Sequence, residues 1–466
     1  MLVTRNVQPS LWESVLPDVV LKLPAELEAV DRLLDDEAFF APFRAHFDPL
    51  IGRPSVPMET YLRLMFLKFR HRIGYETLCR EVSDSISWRL FCHIDIDARV
   101  PHPTTLMKIT TRCGEATVLA LNDALLAKAV AAKVVRTGKV RADTTVVSAN
   151  VEYPTDSGLL ATAVARIGKL VRRIKATGGA TRTGFRDRSR SAASKVHAIG
   201  AKLRLRGAQA REQAQATVMR ITGELADLAR HSSTDAQRIL ANARRALRKA
   251  TGQTKGRLHR AINELTTVIE RTGRIMAQTH QRLAGIKPDS ATRLVSLHDP
   301  QAHPIVKGGL GKPVEFGYKG QVVDNEDGIV LDYTVEEGNP PDAPQLAPAI
   351  ARVKRRTGST PRKVTADRGY GEPKVDNELE ELGVKDVAIP RKGQPGQARR
   401  DREHSRGFRD MVKWRTGIEG RISHLKHRFG WARTLMDART GAAIWCGHGV
   451  LTHNLVKVAG LTAKTA

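Results

Sequence analysis

The chain has 466 residues, with 76 Lys and Arg against 49 Asp and Glu, for a formal charge of +27. A hydrophobic fraction of 41% is ordinary for a soluble protein, and the length suffices for two or three domains. The charge favours a polyanion partner, because neutralised phosphates release counterions. No apolar run reaches the roughly 18 to 20 residues of a spanning helix, so membrane insertion is not expected, and the four cysteines include no CxxC pair of a zinc ribbon or redox motif.

Residues 1–135 are predicted to be helical. YLRLMFLKFR (61–70), GYETLCREV (74–82) and SISWRLFCHI (85–94) are short apolar-periodic segments punctuated by Gly74 and by Ser83-Asp84. PHPTTLMKITTR (101–112) starts another helix at Pro103-Thr104. Interleaved Arg and Lys suit either a DNA-binding helical module or a plain packing domain, and spacing alone picks out no recognition helix. The opening MLVTRNVQPS lacks the charged-then-apolar plan of a signal peptide, so a cytoplasmic protein with reduced thiols is expected.

KVRADTTVVSANV (139–151) is β-branched and roughly alternating, which reads as a strand. A long helical section follows. Leu160, Val164, Ile167, Val171 and Ile174 form one heptad seam; Leu258, Ile262, Leu265, Ile269, Met276 and Leu283 form another, with Thr272 and Thr279 as gaps. Val218, Ile221, Leu225 and Leu228 form a shorter one. Antiparallel helices in a coiled-coil-like arm are the simplest solution, with TRTGFRDRSR (181–190) as a flexible basic loop at the tip. Residues 155–290 hold 28 Lys and Arg and 9 Asp and Glu. KGGLGKP (307–313) only superficially resembles a phosphate loop, since Pro313 stands where Ser or Thr is required, and no nucleotide cofactor is expected.

Alternation returns after about 291. VEFGYKGQVV and GIVLDYTVEE, separated by DNED, read as a hairpin. Then come a helix (343–356), a strand (363–370), a helix (372–383), a strand (384–390) and a basic linker, RKGQPGQARRDREHSR (391–406). This order is that of a mixed α/β layer. The last segment, MVKWRTGIEGRISHLKHRFG (411–430), is predicted as one helix with Arg415, Glu419 and Lys426 along one face. Beside them Ile418, Ile422, Leu425 and Phe429 form a stripe that can be buried. Asp143 within the first strand and Asp367 at the end of a later one are two further rigidly held carboxylates.

On these residues the chain resembles a bacterial insertion-sequence transposase of the DDE class. The matching stretches are ADTT (142–145), FGYKGQ (316–321), GNPPD (338–342), TADRGY (365–370) and RTGIEGRISHLK (415–426). Arg415, Glu419 and Lys426 fit the last three elements of the family's Y-x2-R-x3-E-x6-K signature, while Val412 takes the tyrosine position, with Trp414 nearby. The block from about 53 to 112 is similar to the helical transposase-associated domain. The resemblance implies a ribonuclease-H-like mixed sheet flanked by helices. It covers roughly 53–151 and 291–457; the expected domains are an all-α one at 1–135, a catalytic one at 136–154 and 291–460, and, outside the resemblance, a basic helical insertion at 155–290.

The resemblance implies Asp143, Asp367 and Glu419 as catalytic, metal-binding residues for two Mg²⁺ ions, with Mn²⁺ able to substitute. Asp143 is expected to bridge the ions. Arg415 and Lys426 would clamp phosphates, with an Arg415–Glu419 ion pair as the alternative. Lys319 and Arg368 are expected to touch DNA, with core or edge packing as the alternative for Lys319 and for Tyr318 beside it. His424 and His427 are expected to face DNA or solvent rather than metal. The implied partners are double-stranded DNA at element ends and target, and a second copy in the assembled complex. The implied location is the bacterial nucleoid. A binding-only regulator and a nuclease of the same fold are the alternatives.

Overall fold

The computed structural model describes residues 1–6, 15–204, 208–306 and 314–465, and KGGLGKP (307–313) lies outside them. The chain forms two compact units. One joins Met1–Asn150 to Tyr318–Ala466, and the other is Val151–Gly317. Among the described residues no helix is long and apolar enough to cross a membrane.

The strands are β1 (Lys139–Ser148), β2 (His303–Val306), β3 (Val314–Asn325), β4 (Val330–Glu336), β5 (Lys363–Ala366) and β6 (Asp386–Val387). In the first unit the order is β3-β1-β5-β6, with β4 paired to β3. β1–β5 and β5–β6 are parallel and β3–β4 is antiparallel, so the sheet is mixed. The expected hairpin is thus β3–β4, its turn held by Asn325 Oδ1, which accepts from the Asp327 and Ile329 amides. In the second unit the short β2 pairs with residues 314–317 of β3.

The helices around 1–135 pack into this first unit. The helix Ala438–Thr465 lies against helices Ala25–Leu34, Met58–His71 and Pro103–Ala131 and against β4. Helix Met58–His71 is buried from Met58 through Phe69, on every face. This one helix therefore packs, since a groove-reading helix needs an exposed face. Pro103 occupies the first turn of its helix, as predicted, and Gly114 (φ 71°) breaks the run that continues to Ala131.

The second unit contains helices Asp156–Ala176, Ser189–Leu203, Ala208–Lys249 and Gly252–Leu283, packed as a bundle. The predicted seam residues from Leu160 to Ile174 are buried. Two readings need correction. Thr272 and Thr279, taken as gaps, are fully buried in the seam, because each hydroxyl donates to the carbonyl four residues back, Val268 O at 2.6 Å and Ile275 O at 2.7 Å. The basic loop 181–190 is tied down rather than flexible: Arg188 pairs with Asp235 at 2.6 Å, and Thr183 Oγ1 accepts from Asn242 Nδ2 at 2.7 Å.

The segment 391–406, read as a linker, contains the helix Gln397–His404. Arg399 and Arg391 fix it through Asp376 at 2.9 and 2.8 Å. The predicted single helix 411–430 is interrupted at Thr416, giving helices Arg406–Arg415 and Gly417–Arg428. The cause is Arg141 on β1, whose Nη1 donates to the Trp414 carbonyl at 2.7 Å and lies against Gly417. The predicted stripe faces inward all the same, with Ile418, Ile422, Leu425 and Phe429 buried.

Candidate active site

Backbone register brings the first two carboxylates together. The parallel β1–β5 ladder ends at Ala142↔Ala366, so the next residues on the two neighbouring strands are Asp143 and Asp367. Parallel neighbours lie about 4.8 Å apart. β5 ends there and turns into the short 3-10 segment Arg368–Tyr370, whose Gly369 amide donates to Asp367 Oδ1 at 2.9 Å. β1 runs on, and Asp143 Oδ1 accepts from the Thr144 amide at 2.7 Å. Both carboxylates therefore sit at the carboxyl end of β5, Asp367 just past it and Asp143 beside it on β1, on backbone held by the sheet.

Glu419 comes from the first turn of Gly417–Arg428, with its side chain 69% exposed. Arg415 links it to the sheet: its guanidinium lies 3.5 Å from Asp143 Oδ2 and 3.7 Å from Glu419 Oε1. The alternative raised for Arg415, an ion pair with Glu419, is thus present together with a contact to Asp143. Among the described residues no three carboxylate, His or Cys side chains stand close enough to hold one metal ion as they are. In this arrangement the guanidinium supplies the positive charge between Asp143 and Glu419.

The electrostatics indicate a site short of cations. Burial pushes the Asp143 carboxyl up to about 6, and the charges of Asp367 and Glu419 push the same way, against the Thr144 amide and Arg415. Asp367 is also raised, first by burial and next by the charge of Asp342. An all-oxygen, acid-rich donor set suits a hard divalent cation. The residues fit such an ion by their chemistry, provided Arg415 releases Asp143.

Asp342 is a fourth carboxylate, which the sequence reading quoted within GNPPD without assigning a role. It stands at the N-terminal boundary of helix Ala343–Thr357 and pairs with Lys319 Nζ at 2.7 Å. A side chain at Gly369 would meet both Asp367 Oδ1 and Asp342 Oδ2. Lys319 is buried and also donates to Pro340 O at 2.6 Å, so its ammonium is engaged within the protein and bears on the site through Asp342. Arg368, next to Asp367, is exposed. Lys426 is half-buried on the Glu419 helix. Tyr318 is fully buried and packs. His424 sets its ring against Phe429 and His453, and His427 is exposed. Tyr370 is buried, its hydroxyl accepting from Gln321 Nε2 at 3.1 Å. Burial and the charges of Asp342, Asp143 and Asp367 push its phenol well above the usual value.

Behind the carboxylates lies a buried triangle that the sequence reading missed. Asp324 on β3, fully buried, accepts from Arg141 Nε at 2.7 Å and Nη2 at 3.0 Å, and from Arg421 Nε at 3.2 Å. Arg141 precedes Asp143 by two residues and Arg421 follows Glu419 by two. The ring of Trp414 lies under the Arg141 guanidinium at 4.5 Å and under Lys139 at 4.8 Å. Val412, in the family's tyrosine position, packs in a small cluster with Ala388, Phe408 and Met411. A signal was available in Arg141, a charge set between Val140 and Ala142 in the buried first half of β1.

Compared with curated proteins and with solved structures, the chain matches none. Two families match it. Residues 18–112 match the family described as Transposase domain (DUF772), and residues 292–455 match the one described as Transposase DDE domain. With these two matches in this order, and with a mixed sheet flanked by helices that is the ribonuclease-H-like fold of the DDE domain, the chain belongs to the DDE transposases of insertion sequences.

Proposed function

We propose that this transposase cleaves and rejoins phosphodiester bonds of double-stranded DNA at the ends of its insertion sequence, at the site formed by Asp143, Asp367 and Glu419. The register that sets Asp143 beside Asp367, with Arg415 reaching from Asp143 to Glu419, carries this reading. These three carboxylates would hold divalent cations, Mg²⁺ or Mn²⁺. Such ions, when bound, supply an activated attacking oxygen and a stabilised leaving oxygen.

The chain's own residues do the rest. Asp143 and Asp367, fixed by the amides of Thr144 and Gly369, present oxygens from rigid backbone. Arg415, released from Asp143, turns to a phosphate, for which a planar guanidinium is suited. Lys426 and the exposed Arg368 add charge for the flanking backbone. The Arg141–Asp324–Arg421 triangle sets the distance between β1 and the Glu419 helix. Residues 1–135 contribute DNA contacts from their exposed surfaces, and 155–290 form a basic insertion into the catalytic domain of 136–154 and 291–460. Two copies pair the two ends, at the chromosome in the cytoplasm.

A strand-transfer assay with the element's terminal sequences and Mg²⁺ tests the reading. Wild type is expected to give joined product, and Asp143→Ala and Glu419→Ala none, with DNA binding retained. Unimpaired joining by either variant overturns the site. Cutting without joining by wild type identifies the nuclease alternative, and binding without cutting the regulator.

A further inference from the structure

The positive charge of the helical unit is gathered at one end of its bundle. Between Arg166 and Arg190 nine side chains are basic and only Asp187 is acidic; between Arg238 and Arg260 eight are basic and none acidic. These two stretches hold 17 of the 28 basic residues of 155–290 but one of its nine acidic ones. Though far apart in sequence, they are one place in the fold. A single apolar cluster joins Ile167, Val171 and Ile174 to Ile239, Leu258 and Ile262. The loop after Ala176 closes over it: Gly179 lies against Leu258 with no room for a side chain, and Thr183 is bonded to Asn242.

The few acids nearby are already engaged. Asp187 pairs with Arg172, Asp235 with Arg188 and Arg238, and Glu264 with Arg166 and Arg173. That leaves Arg182, Arg186, Arg248, Lys249, Lys255 and Arg257 exposed, with no carboxylate partner among the described residues. The other end of the bundle, around Leu160, Ile199, Leu225 and Ile275, carries a mixed charge. Mere solubility needs no such segregation, and clustering like charges costs self-repulsion unless a polyanion relieves it.

We propose that this end of the bundle is a docking surface for the phosphate backbone of double-stranded DNA, read without regard to sequence. It rests on the reading that the protein acts on DNA, but it assigns a binding surface to residues other than those of the carboxylate site. Side chains from the 177–188 loop and from the turn between the two longest helices both serve it. A duplex, with one charge per about 1.7 Å of axis, offers the partner of highest line charge. Guanidinium and ammonium groups on fixed backbone would release its counterions with little ordering of the protein.

The test uses the full-length protein and a labelled duplex of unrelated sequence, titrated across a salt series. Replacing Arg182, Arg186, Arg248, Lys249, Lys255 and Arg257 together by Gln is expected to lower affinity at 0.1 M salt by about 100-fold and to flatten the log–log salt slope by about 4 to 5. A control with Lys202, Arg204, Arg230 and Lys287 changed to Gln should bind as wild type does. Thermal melting by circular dichroism checks that the bundle is still folded. An unchanged salt slope in the folded six-site variant overturns the proposal, as does an equal loss in the control. Tighter binding of wild type to polyglutamate than to the duplex would also overturn it, assigning the surface to an acidic protein instead. Asp143→Ala separates the two readings: its salt slope should match wild type, so lost joining with a normal slope speaks to the carboxylates alone.

Discussion

The two units of this chain use the same residue type in opposite ways. In the sheet-bearing unit, arginines go inside and are matched: Arg141 and Arg421 on Asp324, Arg352 and Arg356 on Asp332, Arg391 and Arg399 on Asp376, Arg63 on Asp31. In the helical unit most lie outside, and at one end Arg182, Arg186, Arg248 and Arg257 have no carboxylate partner among the described residues. A buried guanidinium is tolerated only with its charge and donors satisfied, so it acts as a fixed strut. An exposed one is hydrated and screened and adds little to stability, but it remains available to a partner. The basic excess is thus architectural where it is buried in one unit and, on the proposal above, associative in the other.

The largest effect that would sharpen this contrast lies at the carboxylates. Asp367→Ala is expected to lower strand joining by more than about 10³-fold, the loss of several kcal/mol of transition-state stabilisation, as read by single-turnover product formation. Joining within a few-fold of wild type would remove Asp367 from the site.

Next come the struts. Asp324→Asn leaves Arg141 and Arg421 buried without their shared carboxylate, and a destabilisation of about 3–5 kcal/mol is expected in urea unfolding. A similar neutralisation at Arg248 or Lys249 should change stability by less than about 0.5 kcal/mol. Equal effects in the two units would erase the distinction drawn here. Gly417→Ala tests the same strut from the other side, because the added methyl would meet the Arg141 guanidinium. It is expected to slow joining about 10- to 100-fold while DNA affinity holds, since about 1 Å of misplacement at a reacting centre costs that order.

A smaller effect concerns pH. Asp143 is raised from the usual 3.8 to about 6. A folded-state value above the unfolded one means that its contribution to stability is complete below pH 3.8 and is lost as pH rises through 6. Without divalent cations, Asp143→Asn should therefore stabilise the protein by about 1–3 kcal/mol at pH 7.5, and the gain should vanish near pH 4. Urea midpoints at the two pH values measure this, and a variant less stable at pH 7.5 would contradict the burial cost and the repulsion inferred for this carboxylate.

What the sequence revealed, and what it hid, follows the range of the interaction concerned. The buried stripe of Ile418, Ile422 and Leu425 and the β3–β4 hairpin were legible because helix and strand periods are local. The family signature supplied Asp143, Asp367 and Glu419 as a group; adjacency of the first two came only with the β1–β5 register. Asp324 and Arg141 lie 183 residues apart, and no spacing rule connects them. Lys319 was read as a DNA contact or a packing residue from its strand near the carboxylates, and only the fold shows that Asp342 and Pro340 O draw it inside. Thr272 and Thr279 broke the heptad pattern in composition only, since a hydroxyl bonded to its own helix can be buried.

The account depends most on Asp143 contributing an oxygen to a divalent cation shared with its acidic neighbours. The most direct measurement is strand joining by Asp143→Cys in Mg²⁺ and in Mn²⁺, because a thiolate is a poor ligand for the harder ion and a better one for the softer. The expected result is no joining in Mg²⁺ and a measurable return in Mn²⁺. Joining at the wild-type rate in Mg²⁺ would contradict metal ligation by Asp143.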